Sequence, residues 1–97
     1  MITISIYPNS YSINGHANYD VEGKDIVCAA VSATAQVTAN ILSNITETSV
    51  DAHKGSLSVQ VHRQTIYTQF VLKAFTDAVR DLEGQYRENV KVEMNIG

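Results

Sequence analysis

The sequence predicts an α/β (α+β) fold: a two-layer sandwich in which a five-stranded mixed sheet carries two helices on one face, in the order ββαββαβ. Two observations carry this. Five short segments alternate apolar and polar residues, whereas two longer ones repeat apolar residues at helical spacing. A third fixes the layering: every segment has one apolar side, and a sheet covered by two helices buries all of those sides together.

"ITISIY" at 2–7 places Ile2, Ile4 and Ile6 on one face and Thr3, Ser5 and Tyr7 on the other, a strand with one wet side. Pro8-Asn9 suits the centre of a tight turn. "YSINGH" then returns with Tyr11 and Ile13 as its apolar pair, closing a hairpin. After a segment bracketed by Gly15 and Gly23 comes "DIVCAAVSATAQVTANILSNI". Asp25 is a good N-cap for this helix, whose expected stripe is Ile26, Ala30, Ala33, Val37 and Ile41, widened by Val27, Val31 and Leu42. Asn40, Ser43 and Asn44 mark its end.

"TSVDAHKGSLSVQVHR" reads as a second hairpin. Val50 and Ala52 alternate on one arm, Leu57, Val59 and Val61 on the other, and His53-Lys54-Gly55-Ser56 turns between them. A second helix fits "QTIYTQFVLKAFTDAVRDLEGQY". Its expected core stripe is Ile66, Phe70, Ala74, Ala78 and Leu82, with Tyr67, Val71, Phe75 and Val79 beside it and Gly84 as C-cap. Leu72 falls off that stripe and is a candidate subunit contact or a lone exposed leucine. "NVKVEMNI" closes the chain as an alternating strand. The two ββα halves form a loose repeat of pattern, not of residues.

The 97 residues are expected to form a single domain, 1–97, with one modest core. The net charge of −3 and the scattering of seven basic residues argue against a nucleic-acid surface. One cysteine cannot form an internal disulfide. "MITISIYPNS" lacks the basic start and apolar run of a signal peptide, and no unbroken apolar run reaches the length of a membrane span. "NIT" at Asn44 matches a glycosylation acceptor only formally. A cytoplasmic protein without membrane contact is expected.

The chemistry-bearing residues cluster at 15–32. Cys28 has two readings: a small buried hydrophobe, as lone cysteines often are, or a nucleophile. Three residues past the cap it lies in the first helical turn, where unpaired N–H groups and the helix dipole favour a thiolate. Ser32 and Ala35 behind it are small, so another chain can approach. His16, at a strand end, is either a surface histidine or the base that takes the thiol proton. Asp25 is a cap, an orienting group for His16, or both. Ser32 either donates into the site or fills a packing gap, and Gly15 and Gly23 are turn residues or hinges of a mobile loop.

His53 and His62 belong to the second hairpin. With no CxxC, CxxH or HxxxH spacing, neither a metal nor another cofactor is expected. No phosphate loop or GxSxG elbow is present.

"GHA" at 15–17 followed by "GKDIVCAAVS" at 23–32 resembles the bacterial ribosomal-processing cysteine protease Prp family, and the ββαββαβ order agrees over essentially the whole chain. The resemblance implies a homodimeric cysteine endopeptidase that removes the N-terminal extension of a large-subunit ribosomal protein. It implies Cys28 as nucleophile and His16 as general base, with Asp25 and Ser32 in support, and cleavage after an aromatic pair. It also implies a mobile loop between the glycines, in which Tyr19 lies. The reaction would be acyl transfer, with helix-start N–H groups as the expected oxyanion donors. Two other readings remain: a non-enzymatic ribosome-biogenesis module that holds a peptide, and a small dimerisation domain with an inert cysteine.

Overall fold

A computed structural model describes residues 1–16 and 25–95 of the chain. Its elements are β1 (Ile2–Tyr7), β2 (Ser10–Gly15), α1 (Ile26–Ile45), β3 (Thr48–His53), β4 (Ser56–Val61), α2 (Ile66–Gln85) and β5 (Val90–Met94). The strands form one sheet in the order β3-β4-β2-β1-β5. Only β1 and β5 run parallel, because α2 and its loops carry the chain back across the sheet before β5. The expected two-layer, mixed-sheet architecture is the one found.

Both hairpins close on two-residue turns. Tyr7 pairs with Ser10 around Pro8-Asn9, as expected. His53 pairs with Ser56, so Lys54-Gly55 alone forms the second turn and His53 belongs to β3. Gly55 supplies the positive φ of +76° that this turn needs.

The register brings Ile4, Ile13, Leu57 and Ala52 into one row across the sheet, and Ile6, Tyr11, Val59 and Val50 into the next. These side chains face the helices, whereas Ser5, Ser12 and Ser58 line the opposite, polar face. Each fully buried apolar side chain of this kind contributes about 1.5–3 kcal/mol relative to exposure. Tyr11 sits at the centre. Its ring stacks on Phe75 of α2, with centroids 4.0 Å apart, and its hydroxyl donates to the Ala35 carbonyl of α1 at 2.8 Å. One residue thus ties the sheet to both helices, and its burial pushes the phenol well above its ordinary pKa.

Both helices turn inward the flank of the expected stripe, Val27, Val31 and Leu42 in α1 and Val71, Phe75 and Val79 in α2, rather than its centre. In α1 the core side is Val27, Val31, Ala35, Thr38, Ala39 and Leu42, while Ile26, Val37 and Ile41 are exposed. In α2 it is Thr68, Phe75 and Val79, with Val71, Leu72 and Leu82 packed against them; Ile66, Tyr67 and Phe70 are exposed. Leu72 is therefore core-packed rather than a free surface leucine. Thr68 tolerates full burial because it completes a capping box: its hydroxyl accepts from the Thr65 N–H, and its own N–H donates to the Thr65 hydroxyl. Gly84 lies inside the last turn, and Tyr86 is the C-cap. By length and composition α1 could cross a membrane; in the fold its buried side packs on the sheet, while Asn40, Ser43 and Asn44 are exposed alongside Val37 and Ile41.

Candidate active site

The start of α1 is built by Asp25. Its Oδ1 accepts from the backbone N–H of Val27 at 3.0 Å and of Cys28 at 2.9 Å, and its carbonyl accepts from the Ala29 N–H. This fixes the first turn, and with it the direction in which Cys28 leaves the helix. It also corrects one expectation: the N–H groups of Val27, Cys28 and Ala29 are engaged by Asp25 and do not stand open as oxyanion donors. Cys28 is half-buried, packed against the core on one side and facing a cleft on the other.

The cleft, of about 210 Å³, lies between α1 and the ends of β2, β3 and β4. Cys28, Ser32 and Gln36, spaced by four residues, form its helical wall; Ile13, Ala52 and Leu57 form its floor. His16 lies across from them, and it is exposed. The structure therefore brings Cys28, His16 and Ser32 to one cleft; Asp25 caps the helix and does not line it. Gly23 and Tyr19 lie outside the described residues.

Two glycines set the position of His16. Gly15, at φ +94°, ends β2, and a side chain there would collide with the Met1 carbonyl. Its N–H donates to the Gly55 carbonyl at 2.9 Å, which ties the end of β2 to the β3–β4 turn. The imidazole of His16 then lies over Gly55, where a Cβ would stand 3.3 Å from Nε2. Gly55 and Gln36 were missed at the sequence level. The spacing from Cys28 and Ser32 could have flagged Gln36; nothing local could have paired Gly55 with a histidine far away in the chain.

A second histidine borders the cleft. His53 shares the polar face of β3 with Asp51, and its Nε2 lies 2.9 Å from the Asp51 Oδ1. That pairing holds its imidazole on the polar face of the sheet, whereas the His16 imidazole lies over Gly55 at the rim of the cleft that Cys28 lines. His62 is farther off, bonded to the Ser49 hydroxyl. Among the described residues no cluster of three or more potential metal ligands forms.

A half-buried thiol at a helix start with an imidazole across a cleft is the equipment of a thiol hydrolase. A family model described as "Cysteine protease Prp" matches residues 1–91. The chain belongs to this family of cysteine proteases. Two curated Prp relatives, the ribosomal processing cysteine proteases of Staphylococcus aureus strains Mu50 and NCTC 8325, are each 26% identical over 103 residues, covering 95% of this chain and 97% of theirs. Among solved structures, S. aureus Prp with a covalently linked product peptide superposes with a TM-score of 0.90 at 24% identity, covering 98% of this chain and 100% of the other. The same enzyme with a substrate peptide gives 0.85 at 22% identity over the same shares. A Streptococcus mutans protein gives 0.80 at 23% identity, covering 100% of this chain and 96% of its own. At these identities the structures establish the shared fold.

Proposed function

We propose that this Prp domain is an endopeptidase that removes the N-terminal extension of a large-subunit ribosomal protein through a Cys28–His16 dyad. The observation that carries the reading is the meeting of Cys28 and His16 in one cleft of a chain that belongs to a cysteine protease family. The relatives named as ribosomal processing proteases support the substrate class.

The reaction is acyl transfer. His16 takes the thiol proton as the Cys28 sulfur bonds to the scissile carbonyl carbon. The tetrahedral adduct collapses, the C–N bond breaks, and His16 returns the proton to the departing amine. Water, losing a proton to His16, then adds to the thioester; the C–S bond breaks, freeing the new carboxylate, and the thiol regains its proton. Asp25 holds the helix start rigid, and Ser32 offers a hydroxyl one turn along the same wall.

The enzyme works in the cytoplasm, where a lone cysteine stays reduced. It neither takes up nucleic acid directly nor enters a membrane, and it needs no cofactor. It acts as a homodimer, for which the exposed Val37, Ile41, Ile66, Tyr67 and Phe70 supply apolar contact surface.

A peptide spanning the extension, incubated with the protein and read by mass spectrometry, tests the activity. The wild type is expected to cut at one site and Cys28→Ala to lose about a thousandfold or more in rate. Cleavage that survives Cys28→Ala removes the dyad, and an uncut peptide removes the substrate.

A further inference from the structure

The sheet has two outer strands, β3 and β5, and the protein treats their edges differently. In β5 the parallel register with β1 turns the backbone groups of Val90 and Val92 outward. Their N–H groups are both taken: Val90 donates to the Tyr86 carbonyl at 2.9 Å, and Val92 to the Glu83 carboxylate of α2 at 2.7 Å. Lys91 and Glu93 add charge to the same strand. These are the usual means by which a sheet discourages further pairing.

In β3 the two-residue turn makes His53 and Ser56 a hydrogen-bonded pair, and the His62 N–H donates to the Glu47 carbonyl at the other end. The alternation between those pairs turns the N–H and C=O groups of Thr48, Val50 and Ala52 outward. No partner meets them among the described residues. The strand carries no proline, lysine or bulge, runs in unbroken register, and has the most exposed side chains of the five. Val50 is 48% exposed although it points to the helix side. Ala52, at the end of this open edge, lines the Cys28 cleft, and α1 packs alongside.

We propose that the substrate polypeptide binds as an added strand on the β3 edge, exchanging backbone hydrogen bonds with Val50 and Ala52 and running from there into the cleft at Cys28. The proposal rests on the peptidase reading. The edge supplies the N–H and C=O groups that an extended peptide requires, in line with the reacting thiol. The occupant is accordingly an extended segment with apolar or small side chains at alternate positions, which would lie beside Val50 and Ala52 on the helix side. Backbone pairing holds the chain straight while the cleft reads the residues around the scissile bond.

Amide hydrogen exchange of the Cys28→Ala protein, with and without the peptide spanning the extension, tests the edge apart from the chemistry. Exchange at Val50 and Ala52 is expected to slow at least about tenfold at saturating peptide, with Asp51, already bonded to β4, unchanged. Unchanged rates at both amides overturn the proposal. So does protection that grows with protein concentration in the absence of peptide, because a second copy then occupies the edge. Val50→Pro removes the outward donor without touching a ladder bond, and a melting curve checks that it folds. It is expected to raise KM for the peptide about tenfold while iodoacetamide, which has no peptide backbone, still alkylates Cys28. An unchanged KM overturns the proposal as well. Protected amides in Cys28→Ala together with a wild type that leaves the same peptide uncut would uphold the edge and sink the peptidase reading, so the two fail separately.

Discussion

The two ends of the sheet are built to opposite rules. At β5 a helix reaches over and closes the ladder: Tyr86 and Glu83 accept the N–H groups that would otherwise face water. At β3 no backbone partner meets the outward groups among the described residues, although Asp51 puts a charge on the strand, and the strand ends at the cleft that Cys28 lines. An edge left without protection is a hazard for any protein, since it invites association. Its placement beside the Cys28 cleft, while the outward N–H groups of Val90 and Val92 at the opposite edge are taken, is the asymmetry on which the proposed strand-addition site rests.

The comparison can be broken by unsealing β5. Glu83→Ala leaves the Val92 N–H without its charged acceptor, and a loss of about 1–2 kcal/mol in stability is expected from denaturant unfolding. Self-association measured by sedimentation should rise with the newly opened edge, while peptide cleavage at the other end persists. If stability and association stay as in the wild type, the carboxylate is not a seal.

A smaller effect sharpens the other side. Gly55→Ala forces a side chain onto a backbone at φ +76° and brings a Cβ to 3.3 Å from the His16 ring. The strain is expected to cost about 1 kcal/mol of stability. Displacement of the imidazole should lower kcat about five- to tenfold at nearly constant KM. A fall in stability with kcat unchanged would separate the turn from His16.

Much of this architecture was legible because alternation is a strong signal. Ile2, Ile4 and Ile6 announced β1, and Asp25 announced the helix start, since a carboxylate just before an apolar run has few better uses than capping. The inward faces of the helices were legible only in part: Val27, Val31, Leu42, Phe75 and Val79 belong to the expected stripes and are buried, but the centres of those stripes are not. Ile26, Val37 and Ile41 in α1, and Ile66 and Phe70 in α2, repeat at a period as helical as that of the true core residues. Two overlapping apolar stripes on one helix cannot be ranked without knowing which one the sheet meets. The buried Thr68 compounded this, because its polarity is neutralised by a cap that only the folded turn displays.

The site shows the same division. Cys28, His16 and Ser32, which meet in one cleft, fall within one short motif; their spacing permits contact without forcing it, and the resemblance of that motif is what singled them out. Gly55 meets His16, and Glu83 meets Val92, only through tertiary contacts. The sealed and open edges were invisible for the same reason, being properties of backbone groups rather than of side-chain pattern.

The proposed dyad requires that His16, and not the Asp51-paired His53, serve the Cys28 thiol. The most direct measurement is the rate of iodoacetamide alkylation of Cys28 at neutral pH in the wild type, His16→Ala and His53→Ala. Wild-type alkylation is expected to run at least about tenfold faster than free cysteine, to fall toward the free-cysteine rate in His16→Ala, and to keep the wild-type rate in His53→Ala. A wild-type thiol no faster than free cysteine, or slowing in His53→Ala alone, would contradict the dyad.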